Sequence, residues 1–213
     1  MTIEAVLWDV DGTLVDSEPL HMRALLAVCA EHGVDISDLP DGAFVGVNLP
    51  GVWQALGPRY SAQLTMARWI DRIKAHYVAG AETLAPMPGA ARVIRALHSR
   101  GVRQAAVSNS NRLVVDTNIN RLGAAECLEF CLSLDDVAQG KPHPELYRAA
   151  LVRLDLAPDR ALAIEDSLTG ILSARAAGIC TVGYRNPHLP ADAAVSELDE
   201  VMELVTREPA LDV

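Results

Sequence analysis

Aromatic side chains are scarce in this chain: Phe, Trp and Tyr make up 4% of its 213 residues, while hydrophobic residues make up 50%. That balance argues against global disorder, but the core has to be aliphatic and alanine-rich, a composition that suits helices laid on a parallel sheet. Positive charge is also short. Lys and Arg number 18 against 28 Asp and Glu, a formal net charge of −10. Such a surface repels nucleic acid and anionic lipid, and neither is expected as a partner. It repels a phosphorylated substrate as well, so a phosphate site would need cations of its own. The four cysteines, Cys29, Cys127, Cys131 and Cys180, include no CxxC pair. Cys127 and Cys131 would share one face of a helix, but no His or Cys pair accompanies them, and all four read as buried free thiols in a reducing compartment. No stretch approaches the roughly 18 uninterrupted apolar residues of a membrane span. Glu4, Asp9 and Asp11 interrupt the first apolar run, which argues against a signal peptide. The expectation is a cytoplasmic protein without membrane contact, monomeric, with a dimer as the alternative.

The length suits one domain, or one domain carrying a small insert. Short apolar runs alternate with longer amphipathic stretches. Ala5 to Trp8 ends in Asp9, Gln104 to Val107 in Ser108, Ala161 to Ile164 in Glu165 and Asp166, and Ile179 to Val182 in Gly183; Phe130 to Leu134 precedes Asp135 and Asp136. Each is short enough for a buried strand, and each but the last leads into a helix-like stretch. Pro88 opens a helix stopping at Gly101, Asn111 caps one ending at Gly123, Pro144 opens one to Leu154, and Ser167 caps one stopping at Gly178. This alternation predicts an α/β fold with a doubly wound parallel sheet and right-handed crossovers. Between about Ser17 and Pro86 the rhythm fails: helix-like stretches at Pro19 to His32, Pro50 to Leu56 and Ser61 to Ala81 appear with no convincing strand. The division expected is a core of 1–16 and 87–213 and a helical insert of 17–86. Pro209 to Val213 reads as a loose tail.

In open parallel sheets ligands bind at the carboxyl ends of strands. Polar residues collect there: Asp9 and Asp11, Ser108 and Asn109, Glu165 and Asp166, with Lys141 shortly after another expected strand. Asp9 and Asp11 would share a face if the strand continued past them, and paired carboxylates invite a cation. Mg2+ prefers such oxygen ligands. Gly12 would let the chain turn sharply. A strand-ending Asp-Gly turn with solvated carboxylates is the competing reading, as a solvated surface lysine is for Lys141.

Taken together, four segments resemble the motifs of the haloacid dehalogenase superfamily, in order: DVDGTLVDS from Asp9 to Ser17, SNS from Ser108 to Ser110, GKPHPELY from Gly140 to Tyr147, and AIEDSLTG from Ala163 to Gly170. The resemblance spans Val6 to Gly183. It implies a Rossmann-like core and Mg2+-dependent phosphoryl transfer. Asp9 would be the nucleophile that forms an aspartyl-phosphate, and Asp11 the general acid and base. Mg2+ would be held by Asp9, Asp166 and the backbone carbonyl of Asp11, with Glu165 as a direct or water-mediated helper. Ser108 and the Asn109 N–H would donate to phosphoryl oxygens beside Gly12, and Lys141 would offset the crowded negative charge.

The helical insert resembles the small α-helical cap of the branch containing phosphoglycolate phosphatases, sugar-phosphate phosphatases and β-phosphoglucomutases. DSEPLH (Asp16 to His21) and FVGVNLP (Phe44 to Pro50) are similar to the mutase arrangement, which implies His21 as a substrate-side residue. However, Leu49 stands where the mutase carries an arginine three residues after the glycine matching Gly46, and Val45 replaces a lysine. Arg68, Arg72 and Lys74 are cations that could reach an anion or simply face solvent, and Trp53 and Trp69 read as core of the insert. Haloacid dehalogenases proper and phosphonoacetaldehyde hydrolases lack the second aspartate, which Asp11 supplies here. The expectation is hydrolysis of a small phosphorylated metabolite. A mutase is the alternative, and a non-catalytic phosphate sensor the second alternative.

Overall fold

Strand β1 (Ala5–Trp8) is fully buried, and it forms the centre of a six-stranded sheet in the computed structural model, which describes residues 2–40, 42–44 and 47–206. The strands are β1, β2 (Val15–Asp16), β3 (Ala85–Pro86), β4 (Arg103–Val107), β5 (Phe130–Leu132), β6 (Ala161–Glu165), β7 (Cys180–Tyr184) and β8 (Ala193–Val195). The large sheet runs in the order β5-β4-β1-β6-β7-β8, every pair parallel. The helices are α1 (Glu18–Glu31), α2 (Leu49–Leu56), α3 (Met66–Ala79), α4 (Ala90–Ser99), α5 (Arg112–Leu122), α6 (Glu145–Leu154), α7 (Leu168–Ala176) and α8 (Val201–Thr206).

Both faces of the central strands are apolar because both are covered. Ala5, Leu7, Ala105, Ala163 and Val107 face a core shared with Leu146, Tyr147 and Ala150 of α6 and Ala174 of α7. The intervening residues face the other way: the Trp8 indole donates to Gln104 (3.1 Å), whose amide donates to the Ile94 carbonyl in α4 (2.9 Å). Helices on both faces make the sheet doubly wound, as expected from the sequence. The chain runs outward from β1 through β4 to β5, then crosses to β6 and runs to β8. The strand order therefore reverses at β1, the place where open α/β sheets bind ligands.

The chain divides into two compact units, Ser17–Leu84 and Met1–Asp16 with Ala85–Val213. In the first, α1 and α3 pack through Leu20, Ala24, Leu25 and Val28 on one side and Trp69, Ile73 and Tyr77 on the other. Trp53 stacks on Tyr60 and tilts against Trp69, so both tryptophans belong to the insert's core.

Several expectations need correction. Val15–Asp16 and Ala85–Pro86 form an antiparallel pair at the two chain crossings, so Ala85 and Pro86 fall with the sheet unit and not with the insert. β5 stops at Leu132 because Ser133 opens a capping box with Asp136. β7 starts one residue later, at Cys180, and ends two later, at Tyr184, placing Gly183 inside it, and β8 was not anticipated. α3 begins only at Met66, where the Thr65 hydroxyl caps Arg68. α4 begins at Ala90, after Gly89 rather than at Pro88. Cys180 is exposed and Cys131 half-buried, leaving Cys29 and Cys127 as buried thiols. Val45, Gly46 and the tail from Pro209 lie outside the described residues.

Candidate active site

Asp9 is the first residue past β1, and its N–H still bonds the Ile164 carbonyl at 3.0 Å. The chain then turns at Gly12, whose φ of 82° favours glycine and where a Cβ would lie 2.2 Å from Asp166 Oδ2. Ser108 follows β4, pinned by its N–H to the Leu132 carbonyl at 3.0 Å. Glu165 ends β6, and Asp166 follows. Lys141 lies between β5 and α6, held by the side chain of Asn109: Oδ1 accepts from the Lys141 N–H (2.8 Å) and Nδ2 donates to its carbonyl (3.3 Å). The Asn109 amide thus clips the lysine loop in place.

Of the chain's two lysines, Lys141 is the buried one. Its ammonium donates to Asp9 Oδ1 (2.6 Å), Glu165 Oε1 (2.6 Å) and the Val107 carbonyl (2.7 Å), using all three protons. Glu165 Oε1 also accepts from the Tyr147 hydroxyl at 2.5 Å, and its Oε2 from Ser167 at 3.3 Å. A Cβ at residue 170 would lie 1.8 Å from Glu165 Oε2, so Gly170 is what lets α7 pass this carboxylate. One oxygen each of Asp9, Glu165 and Asp166 lie within 4.8 Å of one another. Three carboxylates around one ammonium leave the cluster two charges short of neutrality when all are ionised.

The electrostatics follow from that shortage. Burial pushes Asp9 well above the usual carboxylate range; Lys141 opposes the shift, while Glu165, Asp166 and Asp11 add to it. Asp166 is pushed up to about 7, by burial first and Glu165 next. Burial works against the charge of Lys141, but Asp9 and Glu165 outweigh it and hold the lysine above its ordinary value. Burial and Glu165 likewise raise Tyr147. A set of hard carboxylate oxygens with surplus negative charge fits a divalent cation such as Mg2+. Glu165 is the least suited of the three to turn toward it, since both its oxygens already accept protein hydrogen bonds.

Asp11, in the turn beyond the end of β1, has a different set of hydrogen-bond partners. Asp11 Oδ2 accepts from the hydroxyls of Ser110 (2.9 Å) and Ser108 (3.1 Å), and Oδ1 from Asn118 Nδ2 (2.8 Å). His21 is part of the insert, where its ring lies 4.5 Å from that of Tyr77. In the same unit Arg72 is engaged by Glu31, and Arg68 is exposed. Ser110, Asn118 and Tyr147 were not singled out from the sequence. Asn118 had a readable signal: it is a polar residue within the apolar periodicity of Val114, Val115, Ile119 and Leu122.

Residues 3–178 match the family model of the haloacid dehalogenase-like hydrolases. The phosphoglycolate phosphatase (plasmid) of Cupriavidus necator is 33% identical, over 95% of this chain and 93% of its own. The validoxylamine A 7'-phosphate phosphatase of Streptomyces hygroscopicus subsp. limoneus is 30% identical, over 93% and 95%. The crystal structure of CbbY from Rhodobacter sphaeroides in complex with phosphate is similar with a TM-score of 0.82 and 30% identity, covering 94% of this chain and 96% of that one.

Proposed function

This chain belongs to the haloacid dehalogenase-like hydrolases and is a phosphatase of that family, and from that premise we propose that it hydrolyses a small sugar phosphate or organic acid phosphate through an aspartyl-phosphate on Asp9. The observation that carries this reading is the buried group of Asp9, Glu165, Asp166 and Lys141 at the strand-order reversal. Asp9 needs to be ionised to attack, and burial opposes ionisation; the Lys141 ammonium at 2.6 Å is the chain's own counterweight.

An Asp9 oxygen forms a bond to phosphorus as the ester P–O bond breaks, and Asp11 gives the departing alkoxide its proton. Asp11 then takes a proton from water, whose oxygen attacks phosphorus and returns Asp9 to its free carboxylate. Ser108 gives up its bond to Asp11 Oδ2 and, with the Asn109 N–H, donates to phosphoryl oxygens as charge builds on them, while Ser110 and Asn118 keep hold of Asp11. Mg2+ would be held by Asp9, Asp166 and the Asp11 carbonyl, with Glu165 behind them, and when bound supplies positive charge to the transferring group. Leu49 opens α2 without offering the cation that a bisphosphate-binding mutase needs, which favours hydrolysis over isomerisation.

Asp9→Asn should abolish phosphate release from an aryl phosphate while the circular dichroism spectrum stays that of the parent. Full activity in that variant would overturn the role given to Asp9.

A further inference from the structure

Asn118 occupies an apolar position. Val114, Val115, Ile119 and Leu122 are buried around it on α5, and Asn118 itself is fully buried. A buried amide costs stability unless its polar atoms are used, and an apolar residue would serve packing better. What the amide does here is donate to Asp11 Oδ1 at 2.8 Å. The second oxygen of Asp11 is held by Ser110 and Ser108, and Ser110 is itself anchored by its N–H to Ser108 Oγ at 3.0 Å. Asp11 lies on the loop after β1, yet both its oxygens are gripped from other elements, the turn after β4 and the buried face of α5. That is how a side chain on a loop is given a fixed direction.

We propose that Asn118 and Ser110 are positioning residues for Asp11, holding its carboxylate in the orientation from which it moves protons during the reaction. The inference rests on the acid and base role assigned to Asp11 above. It has a consequence that packing alone would not produce. An aryl phosphate expels a stable phenolate, so phosphorylation of Asp9 proceeds without a proton from Asp11. Hydrolysis of the aspartyl-phosphate needs a base to activate water whatever the first leaving group was. Loosening Asp11 therefore slows the second half-reaction and spares the first, when the substrate is an aryl ester. With an alkyl phosphate, both halves slow.

The test uses the full chain with Mg2+, and the variants Asn118→Leu and Ser110→Ala. The second removes one hydroxyl from a half-buried turn and decides the matter should the first not fold. Rapid-quench measurements with p-nitrophenyl phosphate give the rates of phosphoenzyme formation and decay, and steady-state assays with an alkyl phosphate give kcat and KM. The expected result is decay slowed by about tenfold or more with formation unchanged, and a loss of kcat on the alkyl ester with KM held within about twofold. Equal slowing of both half-reactions, a rise in KM at constant kcat, or full activity in a folded variant would overturn the proposal. Asp11→Asn separates this outcome from a failure of the premise. A fully active Asp11→Asn chain removes the role of Asp11 itself, whereas an inactive one beside fully active Asn118→Leu and Ser110→Ala chains removes the positioning inference alone.

Discussion

The insert and the end of the sheet treat their carboxylates in opposite ways. In the insert, Glu31 of α1 accepts hydrogen bonds from Arg72 and His76 of α3, and Arg59 grips Asp38 with bonds of 2.6 and 2.8 Å. Each acid has its own cation in solvent. The core beneath is aromatic: five of the chain's nine Phe, Trp and Tyr residues fall between 17 and 84. At the sheet end, three acids share one ammonium, largely shielded from water, above a core of alanine and branched aliphatics. The acids of the two regions shift in opposite directions. Hydrogen bonds from Arg72 and His76 bring Glu31 down to about 2, while burial lifts Asp166 to about 7 and Asp9 well above its ordinary range. Surface pairing ties two helices together and is complete as built. The buried group is unbalanced, and a fold retains such an imbalance where chemistry uses it.

The sharpest way to break this contrast is to remove the one cation of the buried group. Lys141→Met keeps the length of the side chain but leaves Asp9 and Glu165 facing each other without positive charge. Breaking a buried ion pair from one side costs about 3–5 kcal/mol. Urea unfolding at neutral pH should show a loss of that order together with loss of phosphatase activity. A variant as stable as the parent would mean that the carboxylates are not held ionised by Lys141.

The next effect comes from supplying charge. In the metal-free chain, Asp166 holds its proton up to about 7, whereas its ordinary value is 3.8. Across that window Asp166 binds more protons in the folded state than in the unfolded chain, so its own contribution to metal-free stability falls as pH rises from 3.8 to about 7. Mg2+ competes with that proton, so its stabilisation should grow from about pH 5 to about pH 8. At a hundredfold excess over its dissociation constant, bound Mg2+ should add about 2.7 kcal/mol. Thermal melts with and without Mg2+ at the two pH values check this, and an equal shift at both would detach the metal from Asp166.

A smaller effect is expected at Tyr147. Tyr147→Phe keeps the ring in the α6 core but removes the 2.5 Å bond to Glu165 Oε1, while Lys141 still reaches that oxygen. Losing one hydrogen bond to a charged group costs about 1.5–3 kcal/mol. Chemical denaturation should place this variant between the parent and Lys141→Met.

The strands that carry the site were legible because buried parallel strands read as unbroken apolar runs, and each ended on a polar residue. Helix limits were legible where one residue sets them, as at Asn111, Gly123 and Ser167. The pair β2 and β3 was not, since two residues carry no periodicity and the partners lie far apart in the chain. Cys180 gave no sign of exposure because it is the first residue of its strand, inside an apolar run. The motif carboxylates lie at or just past strand ends, but Ser110 and Asn118, the partners of Asp11, arrive only through tertiary packing. Local pattern therefore located the carboxylates without revealing what holds each one.

The smallest expected effect tests the other side of the comparison. Glu31 is solvent-exposed, and surface pairs contribute little even when their geometry is good. Its folded-state value lies near 2 against an ordinary 4.5, so its contribution is fully present above 4.5 and disappears as pH falls through about 2. Glu31→Gln should therefore lower stability slightly at neutral pH, by much less than Lys141→Met, and by less still near pH 2. Added salt should shrink the difference further, because solvent ions reach Arg72, His76 and Glu31 alike. Denaturation of parent and variant at neutral and acid pH, in low and high salt, measures it. A large, salt-insensitive loss in Glu31→Gln would place the insert's ion pairs on the same footing as the buried group, and the distinction between a finished surface pair and an unbalanced buried one would no longer hold.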